Sequence, residues 1–142
     1  MAKGRKPRTA AVELGKWPIP AEDLLHFIES SDFTAAWGSL GLDDEDDLTT
    51  LQLAIMAGPN GPPVIQGTGG LRKIRFAPPR WQTGKSGALR ICYVYFEEFG
   101  IVYLVVVYRK GEKDDLSPHE RTAIRSYIQK IEAELRRRKQ IT

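Results

Sequence analysis

Residues 71–77 of this 142-residue chain are Leu-Arg-Lys-Ile-Arg-Phe-Ala, and the alternation in this stretch decides the fold. Successive side chains of a β-strand point to opposite faces, so Ile74 and Phe76 are predicted on one face and Lys73 and Arg75 on the other. Strands with one apolar and one solvated face are common in antiparallel sheets, so the two cations could simply face water. The pattern predicts a strand with one core face and one cationic face.

Two further strands follow along the chain. Residues 90–96 are rich in aromatic and β-branched side chains, and residues 101–107 are almost continuously apolar. A connection that contains Pro and Gly, residues 78–87, separates the first two strands, and Glu-Glu-Phe-Gly at 97–100 supplies a turn before the third. We therefore expect three consecutive antiparallel strands.

Helices are predicted before and after this meander along the chain. Residues 25–29 can form a short strand, after which Ser31 or Asp32 can cap a helix that ends at Gly41. A second helix follows the acidic run 43–47, whose carboxylates suit a first helical turn and lack the spacing of a calcium loop, so no metal site is predicted. Ser-Pro-His-Glu at 117–120 is a capping box that begins a final helix.

The order of these elements predicts the fold class. A strand, two helices, a three-stranded meander and a last helix indicate an α+β domain. We expect an antiparallel sheet with two N-terminal helices and one C-terminal helix, all packed on one side of the sheet. A chain of 142 residues that is 42% hydrophobic is long enough to bury a core of this kind.

The N-terminal residues differ from the rest in charge. Residues 1–20 contain five basic side chains and one acidic one, although the whole chain has a net charge of only +3. This stretch has no hydrophobic periodicity, so we expect a flexible basic arm over residues 1–22 and a single domain over residues 23–142. Such an arm could contact nucleic acid without specificity or have no function.

Cysteine content and hydropathy restrict the compartment and the class of protein. Cys92 is the only cysteine, so no intramolecular disulfide can form, and its position within a strand predicts core packing. No apolar run approaches the length of a membrane span, and no hydrophobic stretch of signal-peptide type follows the basic N-terminus. We expect a soluble, cytoplasmic protein without a membrane partner.

A cluster of basic residues is the main functional signal. Between Leu71 and Arg90 the chain has no acidic residue. A cationic surface on paired strands is typical of phosphate binding. The basic residues in this stretch are Arg72, Lys73, Arg75, Arg80, Lys85 and Arg90.

Three segments resemble a known toxin family when they are taken together. They are residues 67–75 (GTGGLRKIR), residues 84–90 (GKSGALR) and residues 108–116 (YRKGEKDDL). The combination closely resembles the HigB-like branch of the RelE/ParE toxin superfamily, over approximately residues 25–135. The resemblance implies a RelE-like sheet and the toxin of a type II toxin-antitoxin system.

The resemblance also implies an activity and its residues. Toxins of this branch cut messenger RNA on the ribosome without a metal or cofactor, with the ribose 2′-hydroxyl as nucleophile. Fixed Arg and Lys side chains can stabilise the charge that develops on the phosphate. The resemblance places Lys73, Arg75 and Arg90 at the catalytic face. The implied RNA contacts are Lys85, Lys110, Lys113 and Tyr108.

Several alternatives stay open at this point. The sequence does not identify the general acid and base. His26 and His119 lie outside the cationic strands, and a lysine could itself transfer the proton. A ParE-like gyrase inhibitor and a noncatalytic RNA-binding or protein-binding module share the fold. The resemblance further implies a cognate antitoxin, expected to contain a helix-turn-helix domain.

Overall fold

The computed structural model describes residues 12–14, 17–19, 23–78, 81, 88–112 and 116–141. Within them the chain forms six strands and three α-helices, and from residue 26 onward these follow the order that the sequence predicts. The strands are β1 (Val12–Leu14), β2 (Trp17–Ile19), β3 (His26–Glu29), β4 (Leu71–Phe76), β5 (Leu89–Phe96) and β6 (Ile101–Arg109). The helices are α1 (Ser31–Ser39), α2 (Asp46–Met56) and α3 (Pro118–Ile141).

The main sheet has the order β3-β6-β5-β4. Strands β4, β5 and β6 form the expected antiparallel meander, and the α+β class with two N-terminal helices and one C-terminal helix is confirmed. The prediction of a wholly antiparallel sheet is wrong for one strand. Strand β3 pairs parallel to β6, so the sheet is mixed. A long connection through both helices and two strands separates β3 from β6, so no hairpin fixes their relative direction.

The helices pack on both faces of this sheet, which corrects the expectation of a single covered face. Helices α1 and α2 bury Phe33, Trp37 and Leu51 against one face. Helix α3 buries Ile128 against the opposite face, with Leu71 and Val94 beneath it. The face that Lys73 and Arg75 share is therefore partly a second core and only partly open.

The N-cap of helix α1 is Ser30, one residue before Ser31 and two before Asp32, the two predicted caps. The Ser30 hydroxyl accepts a hydrogen bond from the Phe33 backbone N–H at 2.9 Å and donates one to the Val105 carbonyl at 2.7 Å. Ser30 thus satisfies a helix end and also ties α1 to β6, which neither Ser31 nor Asp32 does.

The acidic run caps helix α2, as predicted. The Asp43 Oδ1 atom accepts from the backbone N–H groups of Asp46 and Asp47 at 2.7 and 3.0 Å. In return, Asp47 Oδ2 accepts from the Asp43 N–H at 2.9 Å. The Asp43 carboxylate thus satisfies two amides that the first helical turn leaves without partners, and Asp47 ties the preceding loop to the helix.

The predicted capping box of α3 is confirmed. The Ser117 Oγ atom accepts from the Glu120 N–H at 3.1 Å, and Glu120 Oε1 accepts from the Ser117 N–H at 2.9 Å. The glycine-rich loop 67–70 packs beneath this end of α3, where a Cβ at Gly69 would lie 3.2 Å from Arg125 Cγ. Close packing and a φ of +78° at Gly69 explain the glycine there.

Strands β1 and β2 pair with each other in an antiparallel two-stranded sheet. Both lie within residues 1–22, the segment for which the sequence predicts a basic arm, and the flexibility of that segment stays a prediction. In the part of the chain that the structure describes, none of the helices is long and apolar enough to cross a membrane.

Candidate nucleic-acid interface

The pairing of β4, β5 and β6 brings four predicted site residues to one face of the sheet. Arg75 on β4 lies opposite Arg90 on β5, and Arg90 lies opposite Tyr108 on β6. Lys73 lies two residues before Arg75, on the same face. We call Lys73, Arg75, Arg90 and Tyr108 the cationic row.

The two arginines of the row are unusually placed for like charges. Side chains directly opposite in an antiparallel pair have Cβ atoms about 4.5–5.5 Å apart, and like charges at such positions destabilise a sheet. Arg90 is only 8% exposed, and its Nη1 donates to the Ala88 carbonyl at 2.9 Å. Arg75 is exposed and has no acidic partner among the residues that the structure describes. An anionic ligand would neutralise this pair.

Cys92 and Lys73 lie next to the arginines on the same face, opposite each other in register. Burial raises the pKa of the Cys92 thiol to about 11, and the Lys73 charge and a hydrogen bond with Tyr108 oppose that rise. Cys92 therefore stays a neutral thiol near pH 7. The prediction that it packs in the core is confirmed, since it is 2% exposed within the α3-side core.

A cleft of about 360 Å³ lies beside the row, between the sheet and the first turns of α3. Its walls are mostly apolar, and Lys73 and Tyr108 belong to both the row and the cleft. Two acidic residues, Asp32 from α1 and Glu120 from α3, also line it. The remaining lining residues are Ile65, Leu71, Cys92, Val105, Val106, Leu116, Ala123 and Ile124.

The other predicted RNA contacts are resolved only in part. Lys110 is exposed in the turn after β6, at the end of the sheet where Arg90 and Tyr108 lie. Lys85 and Lys113 lie outside the described residues, as does Arg80 of the basic cluster. The structure therefore groups four of the seven predicted site residues in the row and places a fifth at the same end of the sheet.

Arg72 belongs to the basic cluster in sequence but not to the row in space. Its Nη1 donates to the carbonyls of Asn60 and Pro62 at 2.9 and 2.6 Å, and its Nη2 donates to the Asn60 side chain at 3.2 Å. It alternates with Lys73 and so faces the α1 and α2 side of the sheet. Arg72 is a structural residue that holds the loop after α2.

Neither histidine joins the row. His26 pairs with Ile101 at the far end of β6, about 20 Å along the strand from Tyr108. His119 is exposed in the first turn of α3 and does not line the cleft.

Sequence reasoning missed three residues at this end of the sheet. The sequence predicts Asp32 and Glu120 only at helix starts, and their place in the cleft depends on how α1 and α3 pack, which no local pattern indicates. Trp81 lies beneath Arg109, whose guanidinium carbon is 5.5 Å from the ring centroid. Paired cationic and aromatic side chains near a predicted phosphate site are the signal that could have identified Trp81.

No protein-family model matches this sequence.

Proposed function

We propose that this protein is the toxin of a type II toxin-antitoxin system and cleaves messenger RNA on the ribosome without a metal. The observation that carries the proposal is the pairing of Arg75 with Arg90, with Lys73 and Tyr108 on the same face. Like charges at directly opposite positions reduce sheet stability unless a ligand neutralises them. The resemblance to HigB-like toxins supports the same conclusion.

The reaction is an internal transesterification of the RNA backbone. The ribose 2′-oxygen forms a bond to phosphorus as its proton leaves, and the bond from phosphorus to the 5′-oxygen breaks as that oxygen gains a proton. The products are a 2′,3′-cyclic phosphate and a 5′-hydroxyl end. The transition state carries extra negative charge on the phosphate, which fixed cations stabilise most strongly where water is partly excluded.

Each residue of the row has a role in this proposal. Arg90, held by the Ala88 carbonyl, is a preorganised donor to the phosphate oxygens. Arg75 is exposed and contacts the phosphate from the neighbouring strand. Its guanidinium can donate two parallel hydrogen bonds to the phosphate oxygens. Lys73 adds a third charge, and Tyr108 supplies a hydroxyl at the other side of Arg90.

The proposal includes an antitoxin as protein partner. Exposed cations such as Arg75 and Lys110 bind nucleic acid without sequence preference, with an affinity that depends on salt. A cell that produces the protein needs to suppress that binding, and a cognate antitoxin with a helix-turn-helix domain is the partner that the family resemblance implies. Coproduction with the neighbouring reading frame is the direct test of this partner.

Mapping of new RNA ends in cells tests the activity. We expect brief induction of the wild-type chain to create 5′-hydroxyl ends within translated frames, and the Arg75→Ala/Arg90→Ala variant to create none at equal abundance. Growth arrest without new ends would contradict the nuclease. Gyrase supercoiling assays would then test a ParE-like inhibitor, and RNA binding without cleavage would indicate a noncatalytic module.

A further inference from the structure

The cleft beside the cationic row has room for apolar side chains of a second molecule. Its volume is about 360 Å³, and it lies between the sheet and the first turns of α3. Its half-buried apolar lining residues are Ile65, Val105, Val106, Tyr108, Leu116 and Ile124. Protein interfaces are commonly anchored by an aromatic or aliphatic side chain that fills such a pocket.

Charges of opposite sign lie on opposite sides of the cleft. Lys73 belongs to β4, whereas Asp32 lies in the first turn of α1, whose N-cap is hydrogen-bonded to β6. Strand β5 lies between β4 and β6, so the β4 and β6 sides are about 10 Å apart. Glu120 adds a second carboxylate from α3. The cationic side continues into the row, since Lys73 and Arg75 lie about 7 Å apart along β4.

The two carboxylates disfavour RNA in the cleft. Each nucleotide carries a phosphate, and a like charge nearby costs more free energy where water is partly excluded. The Glu120 carboxylate is held in place, because its Oε1 accepts from the Ser117 N–H at 2.9 Å. A protein segment can instead match an apolar wall, a cationic side and an acidic side with separate side chains. The lining therefore favours a protein occupant over a nucleic acid.

The cationic row offers a partner for one acidic side chain of such a segment. Lys73 lines the cleft, and Arg75 beyond it is exposed, with no acidic partner among the residues that the structure describes. A carboxylate can accept two parallel hydrogen bonds from a guanidinium. The same guanidinium contacts the phosphate in the proposed nuclease, so Arg75 cannot hold the acidic side chain and the RNA together.

We propose that the antitoxin docks in this cleft, with a large apolar side chain between the sheet and α3 and an acidic side chain on Arg75. The inference rests on the antitoxin partner of the proposed function. It adds the place and the chemistry of the contact, and it makes inhibition a direct competition with RNA for the cationic row.

Binding to cleft variants tests this inference, with the product of the neighbouring reading frame as the probe. Ala123→Phe fills the cleft from an exposed position of α3, and Ala133→Phe on the same helix is its matched control. Arg75→Gln removes the proposed partner of the acidic side chain, with Lys130→Gln as control. Circular dichroism verifies that all four variants fold. Calorimetry measures the dissociation constant, and fluorescence anisotropy measures the binding of single-stranded RNA by the free protein and by the complex.

We expect Ala123→Phe to raise the dissociation constant at least about thirtyfold, as the loss of one buried anchor does. Its cleavage rate without the antitoxin should stay close to that of the wild type. Arg75→Gln should raise the dissociation constant at least about tenfold, because it removes a charged hydrogen-bond donor. Both controls should bind as the wild type does, and the wild-type complex should not bind RNA.

Equal affinity of the wild-type chain and Ala123→Phe, or RNA binding by the complex at the affinity of the free protein, would overturn the inference and leave the nuclease intact. No binding of the neighbouring product to the wild-type chain would overturn the inference together with the proposed antitoxin. Binding as expected without cleavage of messages on ribosomes would support the inference and overturn the nuclease alone.

Discussion

Arg75 on β4 and Arg90 on β5 are directly opposite each other, with their side chains on the face that α3 covers only in part. The two residues are direct cross-strand neighbours, and Arg90 is almost fully buried. This arrangement favours binding of an anion at the expense of stability in the unliganded protein.

Removal of one charge should therefore stabilise the fold. We expect Arg75→Gln to raise the free energy of unfolding by up to about 1 kcal/mol at low salt, because it relieves the repulsion with Arg90. The gain should shrink in high salt as the charges are screened. Urea unfolding measures it, with Lys130→Gln on the exposed side of α3 as control. A clear loss of stability in Arg75→Gln would show that the guanidinium instead supports the sheet.

Substitution of Arg72 should destabilise the fold, in contrast to substitution of Arg75 three residues away. We expect Arg72→Gln to lower the free energy of unfolding by about 1–3 kcal/mol, because it removes hydrogen bonds to the loop after α2. Cleavage per folded molecule should change little. A large loss of cleavage in well-folded Arg72→Gln would mean that the second sheet face also contributes to the site.

Much of the fold, but less of the site, could be predicted from the sequence. Alternation in residues 71–76 and the capping box at Ser117 are local signals, and both specify their elements. The parallel pairing of β3 with β6 depends on packing between segments about 75 residues apart, which no local pattern reveals. Strand alternation predicts that Lys73 and Arg75 share a face, and the family resemblance adds Arg90 to them, whereas Asp32 reaches the cleft only through the tertiary packing of α1.

The Ser30 cap should have a measurable effect on stability. Ser30→Ala removes the bonds to the Phe33 N–H and the Val105 carbonyl, and we expect it to lower the free energy of unfolding by about 1–2 kcal/mol. Ser39→Ala, at the exposed end of the same helix, is the control and should be nearly neutral. Equal effects of the two substitutions would contradict the cap assignment.

Stability should fall at alkaline pH because of Cys92. Its folded pKa of about 11 exceeds the ordinary thiol value near 9, so the folded state holds the proton more tightly. The buried thiol therefore adds at most about 2–3 kcal/mol to the free energy of unfolding below pH 9. This contribution is lost as the pH rises from about 9 to 11.

Unfolding at several pH values measures this loss, and Cys92→Ala should reduce it. Tyr93 contributes in the same direction at higher pH, since burial raises its pKa to about 12. An unchanged pH profile in Cys92→Ala would show that the thiol is not the group responsible.

The affinity for RNA should fall with salt, and the steepness of this fall should scale with the number of cations that contact phosphates. Three or four phosphate contacts predict that the logarithm of the affinity for single-stranded RNA falls with the logarithm of salt concentration, with a slope of about −2 to −3. Fluorescence anisotropy with Lys110→Gln tests whether this exposed lysine is one of the contacts. We expect the slope to become shallower by about 0.7. An unchanged slope would place Lys110 outside the RNA path.

The most direct test of the account is the single-turnover cleavage rate on programmed ribosomes for Lys73→Gln, Arg75→Gln and the control Lys130→Gln. Loss of one preorganised donor to a developing oxyanion typically reduces a rate by about 10²–10³. We predict a reduction of this size for Lys73→Gln and Arg75→Gln, with ribosome binding little changed and Lys130→Gln at the wild-type rate. Rates for both row variants within about threefold of the wild type would contradict the assignment of the cationic row as the catalytic face.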